Sequence, residues 1–315
     1  MAPTVPLELQ LLVIDLAIPP LTRKNLGAVR ALMRRVPLVN RVWRSYVYDK
    51  IPVVPKLVLH DVQKDQTELE HFKEVVEHAG RVVEHCDLDL RRWDATVVKE
   101  RALQAVLNRY QTAWVDLPNQ ICDWPFQHLD SLTRLYIDDH RYEDPPTLAG
   151  AVGGRLTSFA MANVDLDQRA YLRFPLVKAL VIDNCMGLNA SSVFNMFPVV
   201  EILGVHATEH ADRMLFEGAT TYSSTVRHIL FSYKDDEFAR QSLPNITYPS
   251  TLRTLTVRRR PARASPPTIP PPPVDAELGR VREACAKSGT IFTVIEAPED
   301  DSAFDVEAWA LSVGG

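Results

Sequence analysis

Hydrophobic and polar positions divide the chain into two parts. Between Leu7 and Ile18 only Glu8, Gln10 and Asp15 are polar. Pro6 suits the first turn of a helix, where its missing N–H is not needed. A helix that is apolar nearly all round cannot rest on one neighbour and turn its other side to water. It needs cover on two sides, and in so small a module the second cover is expected to be another protein. Asn25 is placed to cap a second helix, with Leu26, Val29, Leu32 and Met33 at helical spacing. Pro37 is placed to start a third, in which Leu38, Val42 and Tyr46 run beside Val39, Trp43 and Val47, while Arg41, Arg44 and Ser45 fill the other face. Three short helices in under fifty residues make a poor independent core. They are expected to lean on the rest of the chain, on a partner, or on both.

Beyond residue 50 the period changes. A phrase of the form apolar-x-x-apolar-x-apolar recurs as Val54-Leu57-Leu59, Leu132-Leu135-Ile137, Leu156-Phe159-Met161 and Val177-Leu180-Ile182. It continues as Val200-Leu203-Val205, Val226-Ile229-Phe231 and Leu252-Leu255-Val257, with steps of 24, 21, 23, 26 and 26 residues from Leu132 onward. Weaker copies fit Val83-Cys86-Leu88 and Thr112-Val115-Leu117. Alternating apolar residues make a short strand with one buried face. Helical stretches fall between the strands: Asp65–His78, Asp94 to about Tyr110, Asn189–Met196, His210–Phe216 and Asp235–Gln241. This alternation predicts parallel strands with helices outside, each unit burying its face only against its neighbours.

Residues 261–273 are too rich in proline for a helix or central strand and read as an extended loop inside the array. A helix over Asp275–Ser288 and a last strand over Gly289–Ile295 follow. A C-terminal helix over 303–312 is expected to cap the open edge of that strand. The predicted fold class is therefore α/β, with a helical module over 1–50 and a repeat array over 51–315.

Residues 5–50 resemble an F-box. The family's Leu-Pro-x-Glu-like start stands here as Val5-Pro6-Leu7-Glu8-Leu9, and its later Leu-Val-x-x-x-Trp as Leu38-Val39-Asn40-Arg41-Val42-Trp43. Val5 replaces the usual Leu, and the connection Ile18–Lys24 is longer and more Pro-rich than the pattern. The array resembles an irregular leucine-rich-repeat domain. It mostly lacks the usual Asn after the strand, though Asn163 and Asn184 lie near such positions. Together the resemblances imply the substrate-recognition subunit of an SCF-type cullin–RING ubiquitin ligase. Pro6, Leu7, Leu9, Leu12, Val13, Leu26, Val39 and Trp43 would dock on the Skp-type adaptor and so on the cullin, some of them packing the module's own core instead. The repeats would hold a target protein near the ubiquitin-charged conjugating enzyme, with no cofactor and no chemistry by this chain. The alternatives are a leucine-rich-repeat scaffold outside any ligase, or a small α/β hydrolase using the Asp138–Asp144 cluster.

With 315 residues, 46% of them apolar and 24% charged, the chain can bury a large core. No apolar run is long enough for a bilayer and the start lacks a basic leader, so a cytoplasmic or nuclear location without a membrane partner is expected. Cys86, Cys122, Cys185 and Cys285 are far apart and read as buried free thiols of a reducing compartment. The net charge of −5 hides an asymmetry: residues 1–56 carry nine basic and three acidic residues, leaving −11 on the remainder. A basic module favours an acidic partner through encounter electrostatics.

Candidate chemistry is sparse. Asp138, Asp139, His140, Glu143 and Asp144 follow a strand but have no recognised ligand spacing. His206 and His210 are four apart with Asp212 behind, yet a strand end separates them, so no metal site is expected. No Gly-rich phosphate loop or G-x-S-x-G elbow is present. Arg258–Arg260 and Arg263 read as a solvated edge. The better site is the strand surface on the concave side: Arg134, Tyr136 and Asp138, then His228, Leu230 and Ser232, then Thr254, Thr256 and Arg258. Val181, Ile202 and Leu230 are apolar at such positions. From this surface Arg134, Tyr136, Asp138, His228, Ser232 and Arg258 are the expected target contacts, and its mixed charge suits a protein better than a nucleic acid.

Overall fold

The computed structural model of the chain describes residues 5–59, 65–77, 83–91, 109–116, 131–138, 155–164, 173–185, 190–206, 225–232, 248, 250–259, 274–296 and 304–314. The Pro-rich stretch 261–273, the segments 210–216 and 235–241, and most of the helix expected from Asp94 lie outside them.

Ten strands form one parallel sheet in chain order. They are β1 (Lys56–Val58), β2 (His85–Asp89), β3 (Thr112–Asp116), β4 (Arg134–Asp138), β5 (Ser158–Ala162), β6 (Ala179–Asp183), β7 (Ile202–His206), β8 (His228–Ser232), β9 (Thr254–Arg259) and β10 (Ile291–Glu296). The register sets like on like: Leu135 beside Phe159, Phe159 beside Leu180, Leu180 beside Leu203. A phrase repeated at near-constant spacing gives this arrangement, because each unit offers its neighbour the same edge and the same apolar pair. One copy sits two residues from its expected frame. Ala113 stands beside Leu135 and Val115 beside Ile137, so the buried phrase is Tyr110-Ala113-Val115, not Thr112-Val115-Leu117. A tyrosine and an alanine in place of two aliphatics hid that frame.

The pairing continues one residue before the strands. The amides of Glu201, Arg227 and Arg253 donate to Lys178, Glu201 and Arg227 carbonyls at 2.8, 2.8 and 2.7 Å. After β5 and β6, Asn163 and Asn184 take left-handed backbone conformations, with φ of 55° and 51°. Asparagine tolerates that region better than most residues. Their amides donate to Asp183 and His206 carbonyls, and Asn184 Nδ2 reaches Asn163 Oδ1 at 2.7 Å.

One face of the sheet carries the main core. Leu135, Ile137, Leu180, Ile182, Leu203 and Val205 meet Leu69 and Phe72 of α4 (Asp65–Glu77), Val193 and Phe194 of α5 (Ala190–Met196), and Val281 and Cys285 of α6 (Val274–Ser288) within one buried cluster. Phe159, Phe174 and Phe197 stack there with centroids 5.0–5.8 Å apart. Gly289, at φ 75°, ends α6 in the left-handed conformation that a helix C-terminus favours. Cys86, Cys185 and Cys285 are buried and unbridged.

The N-terminal module holds α1 (Leu7–Ala17), α2 (Leu26–Arg35), a 3-10 turn over Val36–Leu38 and α3 (Arg41–Lys50). Helices α1 and α3 both stop where the next residue is proline: Ile18 and Ile51 are extended, as a following proline requires. Two expectations are corrected. Pro37 lies in the 3-10 turn, and α3 begins later, where the Asn40 side chain accepts from Trp43 N at 2.8 Å. Asn25 does stand at the N-cap position of α2, but with a helical backbone and no side-chain cap; its side chain donates instead to Thr22 Oγ1 and Asp305 Oδ2 at 3.0 and 3.1 Å.

The last helix, α7 (Val306–Gly314), is present but does not cover the edge of β10. It lies on the second face of the sheet, against β6 and β7. Its side chains explain the choice. Val306, Ala310 and Trp309 need cover, and the second face offers Ala160, Val181, Ile202 and Leu230. Gly204 completes the fit: a Cβ there would stand 2.6 Å from Val306 Cγ1.

Candidate functional site

Helix α1 has two apolar sides. Leu11, Ile14 and Ile18 pack with Val29 of α2 and with Val47 and Ile51, forming the module's own small core. Leu9, Leu12, Val13 and Leu16 fall at i, i+3, i+4 and i+7, which at about 100° per residue sets them opposite that core. They are 51%, 52%, 64% and 79% exposed. The two-sided character read from sequence is therefore present, but the covered side rests on α2 and α3 rather than on the repeat array. Two of α1's three polar residues pin α3: Gln10 Oε1 accepts the Trp43 indole N–H at 3.0 Å, and Asp15 Oδ2 accepts the Tyr46 hydroxyl at 2.6 Å.

The residues expected at the adaptor now separate. Pro6, Leu7, Leu9, Leu12, Val13 and Val39 are exposed. Trp43 is half-buried in the module core. Leu26 is buried in the second-face cluster with Val54 and Trp114. Leu16, Leu38 and Val42 are exposed apolar residues of the same module that were not among the expected adaptor contacts.

The connection Ile18–Lys24, longer than the F-box pattern, reaches onto the sheet. Arg23 pairs with Asp87 at 2.6 Å and forks onto both oxygens of Asp116, while Arg30 takes the other oxygen of Asp87 at 2.5 Å. Asp87 is almost completely buried, so these cations replace the water it lost. Burial works against the charge of Arg23, yet Asp87 and Asp116 outweigh it and hold the guanidinium above its ordinary pKa. Burial pushes the Asp116 carboxyl up; Arg23 opposes this, while Asp138, Asp87 and Asp89 add to it.

The start of α7 meets the same connection. Asp305 caps α7 through Ala308 N at 2.9 Å and accepts the Thr22 hydroxyl, and Lys24 donates to the Phe304 carbonyl. Glu307, 7% exposed, accepts from Arg23 N at 2.7 Å, from the Trp114 indole at 3.2 Å and from Arg134. Burial raises the Glu307 carboxyl pKa and Arg134 pulls it back. The two ends of the described chain thus share one polar seam over β2–β4. The basic module and acidic remainder read from the composition are partly each other's partners. Arg23, Arg30, Asp87, Asp116, Asp305 and Glu307 were not singled out in sequence; the signal was aspartate inside otherwise apolar strands.

The strand residues expected to face a target do lie on the second face, but much of that face is covered. Tyr136, Ser232 and Arg258 are buried; Arg134, Asp138 and His228 are half-buried. Arg258 is no solvated edge: its guanidinium lies 4.6 Å from the Phe304 ring centroid and donates to Ser232 Oγ at 3.1 Å. Asp138 accepts from Asn163 at 2.7 Å, and His228 Nδ1 is 2.9 Å from Thr254 Oγ1. The rest of the Asp138–Asp144 cluster, with His210 and Asp212, lies outside the described residues. Among the described residues no group of three His, Cys, Asp or Glu side chains could hold a metal ion, and no helix is long and apolar enough to cross a membrane. No protein-family model, no curated protein and no solved structure matches the chain.

Proposed function

We propose that this chain is the substrate-recognition subunit of an SCF-type cullin–RING ubiquitin ligase. In this reading residues 5–50 are an F-box that docks on the Skp-type adaptor, and the ten-stranded array is a leucine-rich-repeat solenoid that holds the target. The chain itself performs no chemistry. It raises the local concentration of a target lysine near the charged conjugating enzyme, which is catalysis by proximity.

The observation that carries the reading is the outward side of α1. Four large apolar side chains at helical spacing face away from a finished core, on a module with Leu38, Val39 and Val42 also exposed. A stable monomer gains nothing by presenting such a stripe, and contiguous exposed apolar surface marks an interaction site. Sequential strand order and the Asn163–Asn184 ladder support the solenoid half.

The test is co-purification of the full chain with the Skp-type adaptor. Wild type is expected to bind and Leu9→Asp to fail while keeping its melting temperature. An intact fold that does not bind the adaptor sinks the ligase reading and leaves a repeat scaffold with another partner on α1.

A further inference from the structure

We propose that the target is held in the pocket left open beside α7, and that it offers an acidic segment around one apolar anchor side chain. The proposal rests on the ligase reading for the word target; the site can be tested without it.

With the centre of the second face closed by α7, and β2–β4 closed by the Leu21–Asn25 connection, a cavity of about 510 Å³ remains between α7 and the starts of β4 to β8. Its floor is Ala160, Val181 and Ile202, and its wall is Ala310, Leu311 and Val313. An apolar sheet floor and an apolar helical wall line this slot, the usual receptor for a buried anchor. Leu311 is 39% exposed.

Charge selects what flanks the anchor. Lys178, Glu201, Arg227 and Arg253 form one row across neighbouring chains of the sheet, joined amide to carbonyl. The row holds three cations to one anion. Lys178 and Glu201 line the cavity, and Arg227 stands next to them. Glu201 meets Lys178 at 3.4 Å and Arg227 at 3.9 Å, with both cations about half exposed or more. Exposed pairs of this kind are weak, so an incoming carboxylate can share the cations at little cost. Strand neighbours are about 4.8 Å apart, so Lys178 and Arg227, which flank Glu201 two strands from each other, stand roughly 10 Å apart, a span that an extended acidic segment covers in about three residues. The opposite ends of the strands carry Asp89, Asp116, Asp138 and Asp183. An acidic segment is thereby steered to the strand starts and away from the strand ends.

Two fluorescein-labelled dodecapeptide pools test this by anisotropy with the full chain. One has Asp or Glu around a central Leu, Ile, Met or Phe; the other has Lys or Arg around it. The acidic pool is expected to bind, and to weaken about tenfold or more in K178E/R227E, which changes only exposed side chains. Ser158→Trp, which fills the cavity from its half-buried rim, is expected to weaken it similarly, with melting curves confirming that each variant is folded. The basic pool is expected not to bind. Acidic-pool affinity unchanged in both variants, equal binding of the basic pool, or no binding of either pool by wild type would overturn the proposal. Both variants should keep the adaptor. If wild type lacks the adaptor but shows the peptide pattern, the ligase reading falls and the pocket stands.

Discussion

Glu307 in α7 accepts the indole N–H of Trp114 in β3 at 3.2 Å, across 193 positions of sequence. The Arg134 guanidinium lies 5.5 Å from the Trp114 ring centroid and also donates to Glu307. A tryptophan inside a sheet normally needs a partner for its N–H. Here that partner is a buried carboxylate, itself neutralised by Arg134. Removing the carboxylate leaves the indole and the Arg23 amide without their acceptor, and leaves Arg134 with the Leu21 carbonyl but no counter-charge there. Glu307→Ala is expected to cost about 3 kcal/mol, and Glu307→Gln less, measured by urea denaturation at neutral pH.

Gly204 is the position where α7 comes closest to the sheet. Gly204→Val places branched carbon where Val306 Cγ1 now sits. Overpacking of this kind costs about 1–3 kcal/mol. Because the helix can lift off while the sheet stays paired, the expected signature is faster proteolysis of the C-terminal segment with far-UV circular dichroism nearly unchanged.

Arg23 serves two carboxylates. Arg23→Met leaves Asp116 with only Arg91 at 4.0 Å and Asp87 with only Arg30, and should cost about 3–5 kcal/mol. Adding Asp116→Asn should recover part of that loss, because the uncompensated charge is then gone. A double variant no more stable than Arg23→Met would show that the arginine acts through packing and not through charge.

Asp89 gives the molecule an acid limb. Arg91 hydrogen-bonds its carboxylate, burial opposes, and Lys56 adds attraction, so its pKa is pulled down to about 2. A depressed acid contributes stability that is present above its unfolded pKa, near 3.8, and is lost as pH falls toward 2. Solvent around the half-exposed Arg91 screens the pair, so Asp89→Asn should cost only about 1 kcal/mol at neutral pH. The difference between wild type and variant should vanish near pH 2, as read from denaturation midpoints across that range.

Trp43 and Leu16 separate core from contact within the module. Trp43→Ala removes packing and the indole bond to Gln10, and should lower stability by about 2 kcal/mol. Leu16→Asp changes a side chain that touches little, so stability should stay within about 0.5 kcal/mol, while on the proposed ligase reading adaptor binding is lost. Equal loss of stability in both would mean that α1 has no free side.

The strands were legible because alternation is a local property. Each phrase from Leu132 to Leu252 lies on the strand it suggested. The slip at Thr112 came from the same rule: Tyr110 and Ala113 are weak markers of a buried phrase, and Trp114, apolar but on the other face, blurred the period. Val181, Ile202 and Leu230 carried real information, since apolar residues on a supposedly open face imply a cover. What covers them could not be read, because α7 lies far along the chain and helical pattern does not say which surface a helix will choose. The length of Ile18–Lys24 likewise marked a departure from a motif, while its cause is an ion pair with strands more than sixty residues away.

The pairing of Thr22 with Asp305 spans 283 positions. At about 5–20 residues per second on the ribosome, the connection waits roughly 15–60 s for its partner to be made. During that interval the strip of Ala160, Val181, Gly204 and Leu230 is finished as sheet but bare of its cover. A nascent chain stalled before Phe304 is therefore expected to be a chaperone client, and release from the chaperone should follow emergence of α7 from the ribosome. Late truncations then act first on yield from translation, before any effect on the finished molecule.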